Sequence, residues 1–509
     1  MTFLGIDIGT SGTKALLLHP SGKILATAEA PHTLLTPKPG WTEQHPDGPG
    51  GWFPALIAAT RKVLATAKRH PPVTAIGLSG QMHGSVFLDK SGRVLRPALL
   101  WNDQRTASQC REIEAAAGGR EALIQQVSNP ALTGFQAPKI LWLRANEPRR
   151  FARCAHVLLP KDYIRFRLTH TYATDLSDAS GTLLLDVKNR RYHQGLLAAL
   201  DLDPALLPAL FESHEVTGQL TAEAAALLGL PAGIPVVAGA GDQAAGAVGA
   251  GVVSPGLLSA TMGTSGVLFA ASAAPLTDPQ GRVHTMCHAL PNTWCTFGCM
   301  LAAGGSLQWF RNTFFSAELA ALSRSKKDPG SLYPHILALA AAAPPGSEGL
   351  RFLPYLTGER CPHPDPDARG AFIGLTPRHT LAHLSRSVVE GVTFAMKEQV
   401  DIFRQMGIPI AEIRAGGGGA RSAFWRQLQA DMYDAPITTI NAAEGAALGA
   451  ALLAAVGTNA YPSVQAACKD LISVQTRQKP ATRSVRLYAS LYPSYAALYP
   501  ALKGHFPRA

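Results

Sequence analysis

Two distant segments of the chain share one pattern, in which apolar runs flank a short polar turn. In the first segment, residues 3–18, the turn is Gly9–Gly12, and in the second, residues 257–270, it is Gly263–Gly266. Apolar runs joined by a glycine-rich turn predict β-hairpins. Because both turns contain Gly-Thr-Ser, the pattern also indicates an internal duplication.

Two further apolar runs end in polar residues. Residues 71–84 predict a strand that ends at Ser79–Gly84, and residues 234–241 predict a strand followed at once by Asp242. Folds that combine strands and helices commonly bind their ligands at such strand ends. Both ends are therefore candidate binding positions.

Helical patterns alternate with the predicted strands in both halves of the chain. From Leu384 to Phe403, apolar residues recur at a spacing near four, which predicts a helix with one buried face. The tyrosines and leucines of residues 488–502 form a similar stripe, which we expect to pack on the body of the protein. The alternation predicts two α/β domains, at residues 1–247 and 248–509, with a cleft between them.

The composition favours a large globular protein. The chain has 509 residues, of which 47% are hydrophobic and 16% charged, and its formal net charge is +11. Its cations are dispersed, so the net charge does not indicate a nucleic-acid partner. A mild positive field suits small anionic ligands such as ATP and sugar phosphates.

No export signal or membrane span is expected. Met1–Gly5 lacks a basic region, and the longest apolar stretch, Ile234–Met262, is interrupted by Asp242. Seven cysteines without a Cys-x-x-Cys pair favour reduced thiols. These features predict a cytoplasmic protein with no membrane partner.

The two hairpin turns are candidate phosphate sites. Glycines let backbone N–H groups approach phosphate oxygens closely, and Thr10, Ser11, Thr13 and Lys14 add hydroxyls and a cation to the first turn. An ordinary β-turn is the alternative for one such turn alone, and the sequence is not a Walker loop. Two turns, one in each domain, could bind a triphosphate from both sides.

Two aspartates lie where catalytic carboxylates would be expected. Asp7 precedes the first turn and could bind water-coordinated Mg²⁺ against the phosphates, although a structural role in capping the turn is the alternative. Asp242 follows Gly239-Ala240-Gly241 at a predicted helix start, where the local dipole favours an ionised base. A plain N-cap is the alternative interpretation of Asp242.

Two glycine-rich segments invite a nucleotide interpretation. Residues 239–244 match G-x-G-x-x-A, but no acidic residue follows about 20 residues later, and Asp242 would repel a pyrophosphate, so a dinucleotide site is rejected. The four glycines Gly416–Gly419 could let a flat nucleotide group lie on bare backbone. A flexible loop is the alternative for this second segment.

Several long blocks of the sequence resemble one enzyme family. Gly370–Leu375, followed by His383-Leu384 and Ser387–Glu390, looks like the complete C-terminal signature of the FGGY family of sugar kinases, and Gly134–Trp142 looks like its N-terminal signature with a departure at Gln136. Within the family the chain is most similar to bacterial xylulokinases. The blocks that carry this closer resemblance are Gly80–Gly84, Leu100–Arg105, Leu159–Tyr163, Ser177–Thr182 and Leu353–Arg360.

The resemblance implies a fold and an activity. It implies two ribonuclease-H-like α/β domains of the actin, hexokinase and sugar kinase fold, with the active site in the cleft between them. The implied reaction is phosphorylation of D-xylulose to D-xylulose 5-phosphate by ATP and Mg²⁺ as the domains close, and a homodimer is common in such kinases. Glycerol is disfavoured, because glycerol kinases carry Arg-Glu where this chain has Met82-His83 and Tyr where it has Gly134.

The resemblance also assigns residues to each ligand. It implies that Asp242 is the catalytic base on the sugar 5-hydroxyl, that Met82 and His83 contact the sugar, and that Gln243 neighbours it. It adds a set of ATP-site residues: Thr10, Ser11, Gly12, Lys14, Thr264, Gly304, Gln308, Gly418 and Ser422. Asp7 stays the candidate for the metal.

Two rival functions remain open from the sequence. One keeps the chemistry and changes the substrate to ribulose, another ketose, or a pentitol such as arabitol, because these differ by as little as one hydroxyl configuration. The other is a non-catalytic sugar or nucleotide sensor on the same fold. The joint presence of Asp7, both turns and Asp242 argues against the sensor.

Overall fold

The structure, a computed structural model, describes residues 1–68, 70–441 and 445–507, which form an α/β protein. Its strands are β1 (Thr2–Ile8), β2 (Gly12–Leu18), β3 (Ile24–Pro31), β4 (Glu43–Gln44), β5 (Val73–Gly80), β6 (Val86–Leu88), β7 (Ala98–Leu99), β8 (His156–Leu158), β9 (Ala173–Asp175), β10 (Leu185–Asp186), β11 (Arg191–Tyr192), β12 (Ala209–Phe211), β13 (Val216–Gln219), β14 (Pro235–Val237), β15 (Ala240–Gly241), β16 (Gly256–Met262), β17 (Gly266–Ser272), β18 (His284–Cys287), β19 (Trp294–Met300), β20 (Arg351–Leu353), β21 (Ala371–Ile373), β22 (Ile410–Gly417), β23 (Ile437–Ile440) and β24 (Val474–Gln478).

Helices follow most of these strands. They are α1 (Trp52–Thr66), α2 (Ala107–Ala116), α3 (Arg120–Val127), α4 (Gln136–Asn146), α5 (Pro148–Phe151), α6 (Pro160–Thr169), α7 (Leu176–Ala179), α8 (Gln194–Ala199), α9 (Ala222–Leu228), α10 (Asp242–Gly249), α11 (Gly304–Phe314), α12 (Ser316–Arg324), α13 (Leu332–Ala342), α14 (Leu381–Gln405), α15 (Ala423–Tyr433), α16 (Gly445–Gly457), α17 (Val464–Leu471), α18 (Thr482–Ala496) and α19 (Leu498–Leu502). Within the described residues, none of them has both the length and the apolar character that a membrane crossing requires.

The chain folds into two compact units. Unit 1 comprises Met1–Ser254, Ala271–Cys295 and Glu444–Ser473. Unit 2 comprises Pro255–Ala270, Thr296–Ala443 and Val474–Ala509. The two continuous domains expected at residues 1–247 and 248–509 remain a prediction. In the structure, two later segments, Ala271–Cys295 and Glu444–Ser473, belong to unit 1.

A mixed sheet forms the centre of unit 1. Its strands lie in the order β13, β14, β5, β1, β2 and β3, and β15 also pairs with β5. Strand β1 is antiparallel to β2, so the first predicted hairpin is confirmed, and β1 is parallel to β5. The register sets Asp7 opposite Lys14 on β2 and opposite Ser79 on β5.

Helix α16 covers one face of this sheet at very short range. A Cβ atom on Gly5 of β1 would lie 2.0 Å from the carbonyl oxygen of Ala447, and one on Gly77 of β5 would lie 1.9 Å from that of Ala450. Only glycine allows a helix backbone to approach a strand so closely. These two glycines therefore explain how the segment Glu444–Ser473 joins unit 1.

Unit 2 repeats the central arrangement of unit 1. Its sheet includes, in order, β19, β17, β16, β22, β23 and β24. Strand β16 is antiparallel to β17 and parallel to β22, as β1 is to β2 and β5. The second predicted hairpin is thus confirmed, and the two matching hairpins agree with the duplication indicated by the shared turn sequence.

Both helical stripes predicted for the second half of the chain are buried. Helix α14 covers the predicted range and buries Val388, Met396 and Phe403. On α18, Tyr488 and Tyr495 are buried, and the Tyr488 hydroxyl donates to Glu390 Oε1 of α14 at 2.9 Å. The C-terminal tyrosine stripe therefore packs in the core of unit 2, as expected.

Candidate active site

Asp7 lies on β1, one residue before the end of the strand. Its Oδ1 accepts a hydrogen bond of 3.0 Å from the Ser79 hydroxyl on the parallel strand β5. Burial raises the pKa of Asp7 above its ordinary value, although Ser79 and the charge of Lys14 act in the opposite direction. The hairpin turn is closed by its own backbone, from Gly9 N to the Gly12 carbonyl at 3.0 Å, so Asp7 is not needed to cap it.

Asp242 is the first residue of α10, directly after β15. The N-cap of this helix is Gly241, so the interpretation of Asp242 as a plain N-cap residue does not hold. Burial, together with the negative charge of Asp7, raises the pKa of Asp242 to about 7. Gln243 Nε2 donates to Asp242 Oδ1 at 3.3 Å. A carboxyl with a pKa near neutrality can accept a proton at physiological pH and release it again.

Met82 and His83 follow the end of β5 and lie close to the Asp242 turn. Met82 is buried, and a Cβ atom on Gly241 would lie 2.8 Å from its Cγ. His83 has a φ of 69°, its Nδ1 lies 3.1 Å from the Gly181 carbonyl, and its ring packs edge-on against Phe135 with centroids 4.9 Å apart. The ends of β5 and β15 thus bring the predicted sugar residues beside the predicted base, as expected for parallel neighbours.

Lys139 fixes the backbone of the predicted sugar segment. This fully buried side chain donates to the carbonyls of Phe135 at 2.8 Å and His83 at 3.3 Å. Gln136, the departure from the family signature, donates to the Gly84 carbonyl at 3.2 Å. Both side chains of α4 therefore hold the segment that follows β5.

The first turn is braced by contacts that the sequence did not indicate. The Thr10 hydroxyl donates to Gln81 Oε1 at 3.1 Å and accepts from Trp101 Nε1 at 3.0 Å, so it serves the local structure. His32 Nε2 lies 2.8 Å from the Thr13 hydroxyl, and its Nδ1 lies 3.1 Å from the Gly9 carbonyl. Burial lowers the pKa of His32 to about 4, which keeps this imidazole neutral at pH 7.

The second turn borders a cavity of about 660 Å³ in unit 2. All five ATP-site residues expected in this unit line it: Thr264, Gly304, Gln308, Gly418 and Ser422. Gly304 begins α11, and its N–H donates to the Gly263 carbonyl at 2.9 Å. A Cβ atom at Gly304 would lie 2.3 Å from that oxygen, so only glycine fits there. The start of a helix and a glycine-rich turn thus meet at one wall, as anion sites require.

Apart from Arg421, the rest of the cavity is lined mainly by apolar side chains. They are contributed mainly by α13 and by the start of α15: Tyr333, Leu337, Ala338, Ala341, Phe424 and Trp425. Flat apolar walls suit an aromatic base, whereas the polar turns suit phosphates. No motif in the sequence indicated the α13 wall, because an alanine-rich helix carries no polar marker of a ligand.

Two matches to one family decide what kind of protein this is. Residues 2–249 match the N-terminal domain of the FGGY family of carbohydrate kinases, and residues 258–458 match its C-terminal domain. The chain belongs to the FGGY family of carbohydrate kinases. As an FGGY kinase it uses ATP and a sugar as substrates, and the expected family and two-domain α/β fold are confirmed.

Individual relatives agree with this membership. A protein named xylulose kinase from Escherichia coli (strain K12) is 42% identical over 463 residues, which cover 91% of each chain. A crystal structure described as a xyloylose kinase from Brucella ovis has a TM-score of 0.88 at 38% identity and covers 99% of this FGGY kinase and 100% of its own chain. A crystal structure of a gluconate kinase from Lactobacillus acidophilus has a TM-score of 0.90 at 26% identity and covers 99% of each chain.

The site residues predicted for this FGGY kinase form two groups. In unit 1 the contacts link Asp7, Lys14, Met82, Asp242 and Gln243, with His83 beside Met82 and the turn of Thr10, Ser11 and Gly12 at the end of β1. In unit 2 the five remaining residues share one cavity. In each unit, the predicted residues thus lie near one hairpin turn and the adjacent strand ends.

Proposed function

We propose that the protein transfers the γ-phosphoryl group of ATP to the 5-hydroxyl of D-xylulose, with Asp242 as general base. The observation that carries this mechanism is Asp242 itself, whose pKa of about 7 suits proton acceptance and which lies beside Met82 and Asp7. The choice of D-xylulose is supported by the xylulose kinases among the relatives. The sugar site would lie on unit 1 and the nucleotide site on unit 2, so both units would contribute to the reaction.

In the proposed reaction, Asp242 accepts the proton of the sugar hydroxyl as the oxygen attacks the γ-phosphorus in line. The bond between that phosphorus and the β,γ-bridging oxygen breaks, and ADP and xylulose 5-phosphate leave. Asp242 then returns the proton to water. Phosphoryl transfer requires little covalent work from a protein, so orientation and charge neutralisation supply most of the rate.

The sugar would be oriented by the segment after β5 and by α10. His83 and Gln243 offer polar groups to sugar hydroxyls, and Met82 offers an apolar surface to the carbon chain. Their positions are supported by the contacts of Met82 with Gly241 and of Gln243 with Asp242. Ligand sites commonly combine a few fixed polar groups with such apolar walls.

ATP would bind with its base in the unit 2 cavity and its phosphates at the turns. Gly418 and Ser422 would lie nearest the nucleoside, with Gln308 on the same cavity wall. The backbone N–H of Thr264 would face phosphate oxygens, and Gly304, whose own N–H is bonded to Gly263, would let them approach the start of α11 closely. From unit 1, Ser11 and Gly12 of the first turn would face the phosphates, and Lys14 on β2 would add its positive charge. Thr10 would contribute its backbone, because its hydroxyl is already bonded.

Mg²⁺ fits the residues present only as an ion bound mainly by phosphates and water. Within the described residues no group of three or more His, Cys, Asp or Glu side chains is arranged to bind a metal. Mg²⁺ in kinases usually takes one or two carboxylates, and Asp7, with one oxygen not used by Ser79, matches that need. When bound there, the ion would neutralise phosphate charge.

Two rivals are tested by the same experiment. A gluconate kinase shares this fold, so the fold does not decide the sugar, and ribulose, another ketose or arabitol would keep the same chemistry. A non-catalytic sensor would bind ligands without turnover. ADP release from MgATP should be followed with D-xylulose, D-ribulose, L-ribulose, gluconate, glycerol, D-arabitol and xylitol.

The panel needs one variant and one matched control. Asp242→Asn keeps the shape of the side chain and should lower turnover by about 10²–10⁴-fold, the usual contribution of a positioned general base. Asp186→Asn makes the same change at the end of β10, where the half-buried carboxylate accepts hydrogen bonds from Asn189, and should keep activity. Faster ADP release with another sugar would change the assigned substrate but keep the mechanism. If no sugar gave ADP release, the sensor would be favoured.

A further inference from the structure

The turn that precedes Asp242 contains almost no side chain to fix it. Residues 238–241 read Ala-Gly-Ala-Gly, and Gly239 has a φ of 76°, which favours glycine. A Cβ atom at Gly239 would lie 2.1 Å from the Leu78 carbonyl oxygen, so the backbone must pass close to β5. Because methyl groups and hydrogens offer little packing, the position of this turn must come from bonds to its backbone.

The backbone of this turn pairs with β5 through β15, and Ala238 N donates to the Glu215 carbonyl at 2.8 Å. Three further contacts share a common origin. Lys161 Nζ donates to the Ala238 carbonyl at 3.4 Å. Gly239 N donates to the Ser213 carbonyl at 2.9 Å. Gly241 N, directly before Asp242, donates to the Ser177 hydroxyl oxygen at 3.2 Å.

All three partners converge on one buried carboxylate, Asp175. Its Oδ2 accepts from the hydroxyls of Ser177 at 2.5 Å and Ser213 at 2.9 Å, and its Oδ1 forms an ion pair with Lys161 Nζ at 2.9 Å. None of the four side chains has more than 1% of its residue surface exposed. We refer to Asp175, Lys161, Ser177 and Ser213 as the Asp175 anchor.

The carboxylates around the anchor keep Lys161 ionised. Burial opposes the charge of Lys161, but Asp162, Asp175 and Asp178 outweigh burial and hold the pKa of Lys161 above its ordinary value. Arg165 adds a second buried cation, 3.4 Å from Asp162 Oδ1. Buried, charge-assisted hydrogen bonds of this kind are strong and directional.

We propose that the Asp175 anchor positions the Asp242 carboxyl for proton transfer, with Ser177 as the positioning residue that bonds the turn beside it. The inference rests on the proposed role of Asp242 as general base. Ser177 does not touch the ligands; it acts by fixing the Gly241 N–H, where α10 and the Asp242 side chain begin. A displacement of about 1 Å in a catalytic group can cost about 100-fold in rate, so fixing this turn matters for turnover.

Ser180 provides a matched control for Ser177. It lies three residues further along the same segment, is equally buried, and its hydroxyl oxygen also accepts a backbone N–H, from Cys287 at 3.0 Å. Ser180→Ala therefore removes the same atom and a similar bond, but not one to the turn before Asp242. The two variants separate a loss of positioning from a loss of stability.

The test measures kcat, both KM values and the urea midpoint for Ser177→Ala, Ser180→Ala and Asp242→Asn. Ser177→Ala should lower kcat about tenfold and leave KM for ATP and sugar within about twofold, because orientation rather than binding is lost. Ser180→Ala should keep kcat within about twofold, with a similar change in the urea midpoint. Asp175→Asn removes the common acceptor and should lower kcat at least as far, if the variant folds.

The outcomes separate this inference from the proposed function. If Asp242→Asn is inactive while Ser177→Ala matches Ser180→Ala in kcat, the anchor is only structural and the inference is overturned. If Asp242→Asn keeps full activity, the proposed base is wrong, whatever Ser177→Ala does. A fall in kcat of both serine variants in proportion to their stability would also overturn the positioning role.

Discussion

Asp242 differs from an ordinary surface carboxyl because its environment opposes its charge. Burial raises its pKa to about 7, and the nearby charge of Asp7 acts in the same direction. Burial makes ionisation of Asp242 cost free energy, and a positive or polar group bound beside it would offset that cost. At the scale of single residues, the proposed site therefore pairs a carboxyl whose pKa is near 7 with a second carboxylate, Asp7, whose charge a cation would offset.

The rate should depend on pH through Asp242. Because only the ionised carboxylate can accept the sugar proton, kcat/KM for D-xylulose should rise tenfold per pH unit below about pH 7 and level off above it. A pH profile at saturating MgATP tests this expectation, and Asp242→Asn should lose the ionisation together with most of the activity. A profile that is flat from pH 5 to 8 would contradict it.

Asp242 should also destabilise the folded protein as the pH rises. Its folded pKa of about 7 lies above the ordinary 3.8, so between these values the folded chain retains a proton that the unfolded chain has released, and stability falls with rising pH. Asp242→Asn cannot ionise and therefore removes this pH-dependent contribution to the free energy of unfolding. The variant should exceed the parent in urea midpoint at pH 8, with the difference shrinking toward pH 4; a difference independent of pH would refute the assignment.

Sequence reasoning singled out the candidate ligand groups, but not the side chains that support them. Asp7, Asp242 and the two turns were visible because glycines and acids at strand ends are unusual. His32 and Lys139 were not, because each bonds to backbone carbonyls, which any sequence provides. Supporting contacts of that kind depend on the tertiary fold alone.

At the scale of elements, close approach between α16 and the sheet decides how unit 1 is built. This helix is apolar on nearly every side, so no periodicity in its sequence indicated which sheet it covers. The hairpins were predictable because their turns are local, whereas the α16 contact joins residues far apart in the chain. Gly5 and Gly77 make the contact possible, but a glycine in a strand does not by itself indicate which helix packs against it.

Gly77→Ala should destabilise unit 1 by about 1–3 kcal/mol, the usual cost of overpacking a core. Its Cβ would lie 1.9 Å from the Ala450 carbonyl, and neither backbone can move without disturbing its own hydrogen bonds. Gly246→Ala is the matched control, since its Cβ would meet nothing within 4 Å on α10, and it should be neutral or stabilise by up to about 1 kcal/mol. Thermal and urea unfolding of both variants provides the measurement. Equal midpoints would contradict the close contact.

The α13 wall of the unit 2 cavity should determine nucleotide affinity. Ala338→Phe adds a ring inside the cavity and should raise the Kd for ADP by about tenfold or more, because the base and the ring compete for the same space. His335→Phe introduces the same ring on the same helix at an exposed position outside the cavity lining and should bind ADP normally. Calorimetric titration of the two variants with ADP tests this, and equal affinities would exclude the wall from the site.

At the scale of the whole molecule, the proposed function assigns the sugar to one unit and the nucleotide to the other, although the two units have matching central strands. Each unit presents a turn with the sequence Gly-Thr-Ser between an antiparallel pair, and each pair is extended by a parallel strand. The shared sequence made the repeat predictable. The proposed partition of ligands does not follow from the repeat, because it rests on features that the repeat does not copy: the cavity of about 660 Å³ with its apolar wall in unit 2 and the pair Asp7 and Asp242 in unit 1.

Hydrogen exchange should reveal this division, because each substrate alone should protect amides in one unit. ADP should slow exchange at the start of α11 and in residues 418–422, where backbone groups line the cavity. D-Xylulose should slow exchange in residues 81–84 and at the start of α10, where Met82 meets the Asp242 turn. Ala338→Phe is the control, since it should lose the ADP pattern and keep the sugar pattern. Protection of the α11 start by the sugar alone would contradict the assignment of the sugar to unit 1, even if turnover were normal, because local protection follows the groups that a ligand orders.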